Sequence, residues 1–148
     1  MPTPAFILEL RRKVGHDLLF LPGLVAVVFD DRGRLLLNRR SDSRRWSLIS
    51  GIPEPGEQPE AAVEREVLEE TGVRARAVRL VDASTSPVIE YPNGDRSQYL
   101  TVAYRCEVVG GEPRVADDES LEVRFFDRDE MPELRPDLAR CVERARAG

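Results

Sequence analysis

The chain is poor in aromatic residues, in cysteine and histidine, and in long apolar runs: among 148 residues only 6% are Phe, Trp or Tyr, with one tryptophan, one histidine and two cysteines. His16 has no histidine partner, and Cys106 and Cys141 do not form a C-x-x-C pair, so no metal site of the Cys/His type is expected. The cysteines read as reduced thiols of a cytoplasmic protein, with a disulfide between them left open. Met1 to Lys13 carries two prolines and a glutamate in place of the apolar core of a secretory signal, and no stretch suffices to cross a bilayer, so neither export nor a membrane partner is expected. Positive charge is also in deficit. Lys and Arg total 22 against 27 Asp and Glu, a net charge of -5, which argues against a broad footprint for nucleic-acid backbone. An anionic ligand therefore needs local help, from a bound cation or from the clusters Arg11-Arg12, Arg39-Arg40 and Arg44-Arg45, most of which read as solvated surface.

What is present is an ordinary globular composition, 41% hydrophobic and 33% charged. The length suits one domain over residues 1–148, with no repeat or linker to divide it. Phe6, Ile7, Leu10 and Val14 fall at near-helical spacing, which fits a short amphipathic helix or a leading strand. Leu24–Phe29, the turn residues Asp30-Asp31-Arg32-Gly33 and Leu35–Leu37 predict a β-hairpin, and Trp46–Ser50 predicts a short strand. Gly51-Ile52-Pro53-Glu54-Pro55-Gly56-Glu57 excludes helix and implies a stiff, shaped loop. Pro59 at the first helical position, Glu60 in the first turn and Gly72 as a left-handed stop predict a helix over 59–71. Further strands are expected at 74–83, 99–109 and 121–126, with a hairpin turn at Asn93-Gly94 and a closing helix over 136–147. Trp46 reads as a core residue and His16 as a structural one.

Glu66, Glu69 and Glu70, at i, i+3 and i+4, fall within an arc of about 100° on the predicted helix. Ala62 and Val63 project into the same arc, whereas Glu60, Glu64 and Thr71 lie together on what reads as the solvated side. Three acids sharing a face with residues that want burial repel one another by about 0.2–0.5 kcal/mol per pair even when exposed. A hard divalent cation, which takes several oxygen ligands at once, offsets that repulsion, and magnesium habitually shares its shell with phosphates. Spacing alone leaves both readings open, this metal site and a plain surface helix.

Taken together, Gly51, Glu57 and the run Arg65-Glu66-Val67-Leu68-Glu69-Glu70-Thr71-Gly72-Val73 resemble the complete signature of the Nudix hydrolases, and the order of elements around it is similar to that family's α/β/α sandwich with a mixed sheet. The resemblance implies an α/β fold and a magnesium-dependent hydrolase, with manganese as an alternative ion, that cuts a phosphoanhydride bond in a small-molecule nucleotide. It implies that Glu66, Glu69 and Glu70 hold the metal, with the Gly51 carbonyl as a further ligand. Arg65 then orients a glutamate, and Glu57 braces the loop. The proton of the attacking water passes to Glu66 or to a residue of a later loop, for which Glu119 in Asp117-Asp118-Glu119 is favoured. Ile49-Ser50-Gly51 departs from the Pro-Gly-Gly of many relatives.

Substrate choice lies outside the signature. Pro87, fifteen residues after Gly72, is similar to ADP-ribose-cleaving members, and Tyr91, eighteen after Val73, to dinucleoside-polyphosphate hydrolases. ADP-ribose or a nucleotide sugar is the favoured expectation. Nucleoside triphosphates, dinucleoside polyphosphates and a catalytically silent nucleotide sensor are the alternatives, and a homodimer is left open.

Overall fold

The strand Leu19–Phe29 (β1) alternates in exposure over its first residues and is then buried without interruption from Gly23 to Phe29, the pattern of a strand whose far half is covered on both faces. The computed structural model describes residues 3–148. Its elements run α1 (Ala5–Val14), β1, β2 (Leu35–Arg40), β3 (Trp46–Ser47), β4 (Ile49–Gly51), α2 (Pro59–Thr71), β5 (Arg74–Thr85), β6 (Ile89–Glu90), β7 (Arg96–Gly110), β8 (Ser120–Phe126), a 3-10 turn at Arg128–Glu130, and α3 (Pro136–Arg146). The open choice at the N-terminus resolves as helix.

All eight strands join one mixed sheet, whose main path is β3-β2-β1-β7-β5. β1 and β7 pair in parallel from Leu19↔Ser97 to Phe29↔Glu107, and β5 pairs antiparallel with β7. The expected hairpin of β1 and β2 closes at Phe29↔Leu35, around a turn in which Asp30 Oδ1 accepts the N–H groups of Arg32 and Arg34. β2 then leaves β1 and pairs with β8 and β3. The strand expected at Trp46–Ser50 is two: β3 lies on β2, and after the fully buried Leu48 the chain changes partner, so that β4 pairs with β1 at Ala26↔Ile49, Val25↔Ser50 and Leu24↔Gly51. That switch carries Gly51 into the sheet beside its central strand.

Two apolar clusters flank the sheet. Leu24, Ala26, Val28, Tyr104 and Cys106 meet Ala62, Val63 and Val67 of α2. Val25, Val27, Phe29, Ala103 and Phe126 meet Leu138, Cys141, Val142 and Ala145 of α3. The architecture is the expected α/β/α sandwich. Trp46 joins the α3-side core, edge-on to Phe126 with ring centroids 4.8 Å apart, and both cysteines are buried and free. Among the described residues no helix is long and apolar enough to cross a membrane.

Candidate active site

α2 spans Pro59–Thr71, with Gly72 at φ 73° donating its N–H to the Leu68 carbonyl, as its start and stop signals predict. Its buried stripe comprises Ala62, Val63, Glu66, Val67, Glu70 and Thr71, an arc turned from the expected one. Glu69, on one margin, is 53% exposed. Thr71, expected on the solvated side, is fully buried, its hydroxyl donating to the Val67 carbonyl and accepting the Val73 N–H. The cause lies beyond the helix: the chain between β7 and β8 crosses the end of α2, and the Arg114 N–H bonds the Thr71 carbonyl at 2.8 Å.

Glu66 lies directly against Gly51. A Cβ on Gly51 would stand 2.3 Å from Glu66 Cδ, so only glycine leaves room for this carboxylate. The glutamate is 1% exposed. Its Oε1 accepts from Arg65 Nη1 at 3.0 Å, and its Oε2 is buried with no hydrogen-bond partner among the described residues. Arg65 also forks onto Glu57, Nε to Oε2 at 2.7 Å and Nη2 to Oε1 at 2.8 Å, and reaches the Ile52 carbonyl at 3.3 Å and Glu69 at 3.3 Å. Glu57 in turn accepts the Glu54 N–H at 3.0 Å, inside a turn where Gly56 has φ 84°. A planar bidentate pair thus fixes loop to helix and aims a third donor at the buried glutamate.

The crossing chain also delivers acids. Asp117 and Glu119 each place a carboxylate oxygen close to one of Glu70, the three lying within 4.8 Å of one another. Glu119 is held from its backbone, its N–H on Asp117 Oδ1 at 3.1 Å and its carbonyl accepting the Ser41 N–H at 2.8 Å and hydroxyl at 2.9 Å. Glu119 was the favoured member of this acidic turn; Asp117 joins the group as well, and its only sequence signal was membership of the same turn.

Burial pushes the Glu66 carboxyl up to about 7 against the pull of Arg65. Burial, then the neighbouring Glu66 and Asp117, push Glu70 up to about 8. Crowded, desolvated carboxylates of this kind are what a hard cation relieves. The donor set is oxygen only, which suits magnesium, manganese or calcium. Together with the unpartnered Glu66 Oε2, the residues present fit a divalent metal.

A cleft of about 1220 Å³ runs from this site over the α3-side face of the sheet. Gly51, Glu119 and Arg40 line it, as do Tyr91 and Tyr99 of the β6–β7 region and Ile7 and Arg11 of α1. Arg11, expected among the solvated arginines, is 12% exposed, and Arg40 forks onto Asp42 at 3.1 and 3.0 Å.

The NUDIX domain family model matches residues 19–145. The chain is 31% identical over 138 residues to the ADP-ribose pyrophosphatase of Methanocaldococcus jannaschii, covering 90% of this chain and 79% of that one. It is 36% identical over 110 residues to a MutT-like protein of Streptomyces ambofaciens, covering 74% of this chain and 66% of the relative, just under two thirds of its length. The crystal structure of a MutT NUDIX hydrolase from Burkholderia pseudomallei superposes with a TM-score of 0.66 at 28% identity, over 85% of this chain and 98% of that one. With signature loop, carboxylate helix and sandwich all in place, the chain belongs to the Nudix hydrolase family.

Proposed function

We propose that this protein is a magnesium-dependent pyrophosphohydrolase acting on a nucleoside diphosphate linked to another moiety, ADP-ribose or a related nucleotide sugar. One observation carries the reading: a buried glutamate with an unpartnered oxygen, seated under Gly51, is neighbour to Glu70 of a second acidic group, and Gly51 and Glu119 line a cleft large enough for a nucleotide. The Gly51 carbonyl, Glu66, Glu69 and Glu70 would hold the metal, with Glu119 and Asp117 completing the acidic lining. Arg65 keeps the Glu66 carboxylate oriented through its hold on Glu57. A bound magnesium ion would supply charge neutralisation on the leaving phosphate and a more acidic water. Glu119 would accept the proton of the attacking water, with Glu66 as the other candidate. Arg40, which lines the same cleft while paired with Asp42, would lend donor groups to a diphosphate there.

The ADP-ribose choice is supported by the name of the Methanocaldococcus jannaschii relative and by Pro87 lining the cleft. Tyr91 lines it too, which favours dinucleoside polyphosphates as the second reading. The free, buried thiols of Cys106 and Cys141 support a cytoplasmic setting, with the nucleotide, not nucleic acid, as partner.

The test is a release assay on ADP-ribose, other nucleotide sugars, dinucleoside polyphosphates and nucleoside triphosphates with magnesium or manganese, run on the parent and on Glu70→Gln. The parent is expected to cleave ADP-ribose fastest. Glu70→Gln is expected to lose metal-dependent turnover while, in EDTA above about pH 8 where the Glu70 carboxyl ionises, melting at or above the parental temperature, because it removes a buried repulsive charge. Undiminished turnover in Glu70→Gln removes this residue from the metal site, and no turnover on any substrate favours a silent sensor.

A further inference from the structure

The family match begins at residue 19, so α1 lies outside it. Packing alone anchors this helix thinly, since Ile7 is its one buried residue and Leu8 and Leu10 face solvent. Arg11 supplies the rest. Nη1 donates to the carbonyls of Gly15 at 3.1 Å and Asp17 at 2.6 Å, Nη2 donates to the Arg96 carbonyl at 2.7 Å and Ser97 Oγ at 2.9 Å, and Nε stands 3.6 Å from Asp95 Oδ2. His16 adds a second tie to the same carboxylate, Nδ1 to Oδ1 at 2.7 Å. Between them Gly15 turns the chain at φ 62° and ψ −127°, a conformation that other residues rarely adopt.

Asp95 lies in the Tyr91–Asp95 turn that joins β6 to β7, closed by the Tyr91 N–H on the Asp95 carbonyl at 2.9 Å. The same turn carries Tyr91, whose hydroxyl meets that of Tyr99 at 2.7 Å. Ser97, Tyr99, Thr101 and Ala103 alternate onto the α3-side face of β7, so Arg11 pins α1 to the floor of the cleft as well as to its hairpin wall. Ile7 of α1 and Tyr91, Tyr99, Pro87 and Ile89 of the hairpin region thus line the same cleft. Apolar and aromatic surfaces with hydroxyl edges suit an uncharged planar base and its ribose better than a second phosphate. Asp95, the acid of this wall, is engaged by Arg11 and His16.

We infer that α1 and the β6–β7 hairpin form a two-sided jaw for the nucleoside half of the substrate, with Arg11 as the positioning residue that sets its width. The inference rests on the cleft being the nucleotide site and adds where nucleoside selectivity resides: in a helix that the family match does not reach. Arg11 acts through α1, because its guanidinium donors are already occupied by protein oxygens.

Steady-state kinetics of the full chain test this. Arg11→Ala is expected to raise KM about tenfold with kcat within about twofold, the signature of lost uniform binding, with Arg11→Lys recovering part of the loss. The KM difference between adenine and uracil substrates is expected to narrow in Arg11→Ala. His16→Ala, at a side chain 67% exposed and therefore safe for folding, shifts KM the same way to a smaller extent and stands in if Arg11→Ala does not fold. A drop in kcat at constant KM, or unchanged KM in both variants, overturns the jaw. A second measurement is independent of turnover: hydrogen exchange of residues 5–14 with and without saturating AMP, which has no anhydride bond to cut. AMP is expected to slow exchange in α1 and in residues 89–99 together. Failure to bind AMP, or binding that leaves α1 unprotected, overturns the inference. Protection of α1 in a protein that cleaves none of the substrates upholds the jaw and sinks the proposed hydrolysis.

Discussion

Replacing Gly51 by alanine isolates the contact on which the site rests. The added Cβ would stand 2.3 Å from Glu66 Cδ and 2.6 Å from its Cγ and Oε1. Unbonded carbons prefer about 3.5–4.0 Å, so the glutamate or the β4 backbone must give by more than about 1 Å. Neither yields freely: Glu66 is buried and held by Arg65, and Gly51 is paired with Leu24 in the sheet. Overpacking of this kind costs about 1–3 kcal/mol, which for a chain of this size lowers Tm by about 3–10 °C. The functional loss is the larger one, because a shift of about 1 Å in a positioned group lowers turnover about a hundredfold. The assay pairs thermal melting with magnesium titration and ADP-ribose turnover on purified Gly51→Ala. A double variant sharpens it: Glu66→Asp in the Gly51→Ala background shortens the side chain by one methylene, restoring Tm while leaving turnover low. Parental magnesium affinity, turnover and Tm in Gly51→Ala would refute the packing argument.

Three residues bear on the remaining expectations. Arg65→Lys replaces a planar fork by a single point donor, so it cannot hold Glu57 bidentately and reach Glu66 at once; magnesium affinity should fall about 10–100-fold with secondary structure unchanged by circular dichroism, and an unaltered affinity would rule out the orienting role. The pH dependence of the metal-free protein follows from Glu66 and Glu70, whose carboxyls rise in the fold from 4.5 to about 7 and about 8. The folded state then holds more protons than the unfolded one between those values, so stability is fullest below about pH 4.5 as far as these two groups go and is lost as pH climbs through 7 to 8. Asp30, Asp42, Asp82 and Glu57 are lowered, so their contributions are present throughout that window and fade only in stronger acid. Tm in EDTA should therefore decline from pH 5 to pH 8, and magnesium affinity should rise over the same interval as the carboxylates ionise; a flat or rising Tm in EDTA contradicts the buried-charge account.

What could be read from the sequence was what is decided locally. α2 begins at Pro59 and ends before Gly72 because capping chemistry acts within one turn, and the Gly51–Val73 signature fixed loop, helix and carboxylates as a unit. The phase of the buried stripe was less legible: whether Thr71 or Glu69 meets solvent depends on the chain around Arg114, whose backbone covers the end of the helix, and no periodicity within α2 reports that. The division of Trp46–Ser50 into β3 and β4 is likewise a matter of partners, since β2 and β1 each claim part of one strand-like run. Asp117 stood in view as one of three adjacent acids, but only the path of the crossing chain distinguishes it from Asp118. Arg11 looked like any charge on a helix until the turn around Asp95 supplied its acceptors.

The parallel pairing of β1 with β7 has a kinetic corollary. Leu24 pairs with Val102 on one side and Gly51 on the other, so the strand that seats the signature loop is completed by a partner from much later in the chain. Long-range parallel pairs close large loops before any contact rewards them and therefore form slowly. α2 can take shape early from its own caps, but its carboxylates have no fixed Gly51 to lie against, and no Asp117 beside them, until β7 docks and the chain beyond it crosses back. During refolding, magnesium affinity should thus appear with the slow phase, well after helical signal, making competence to bind metal a report on the docking of β7.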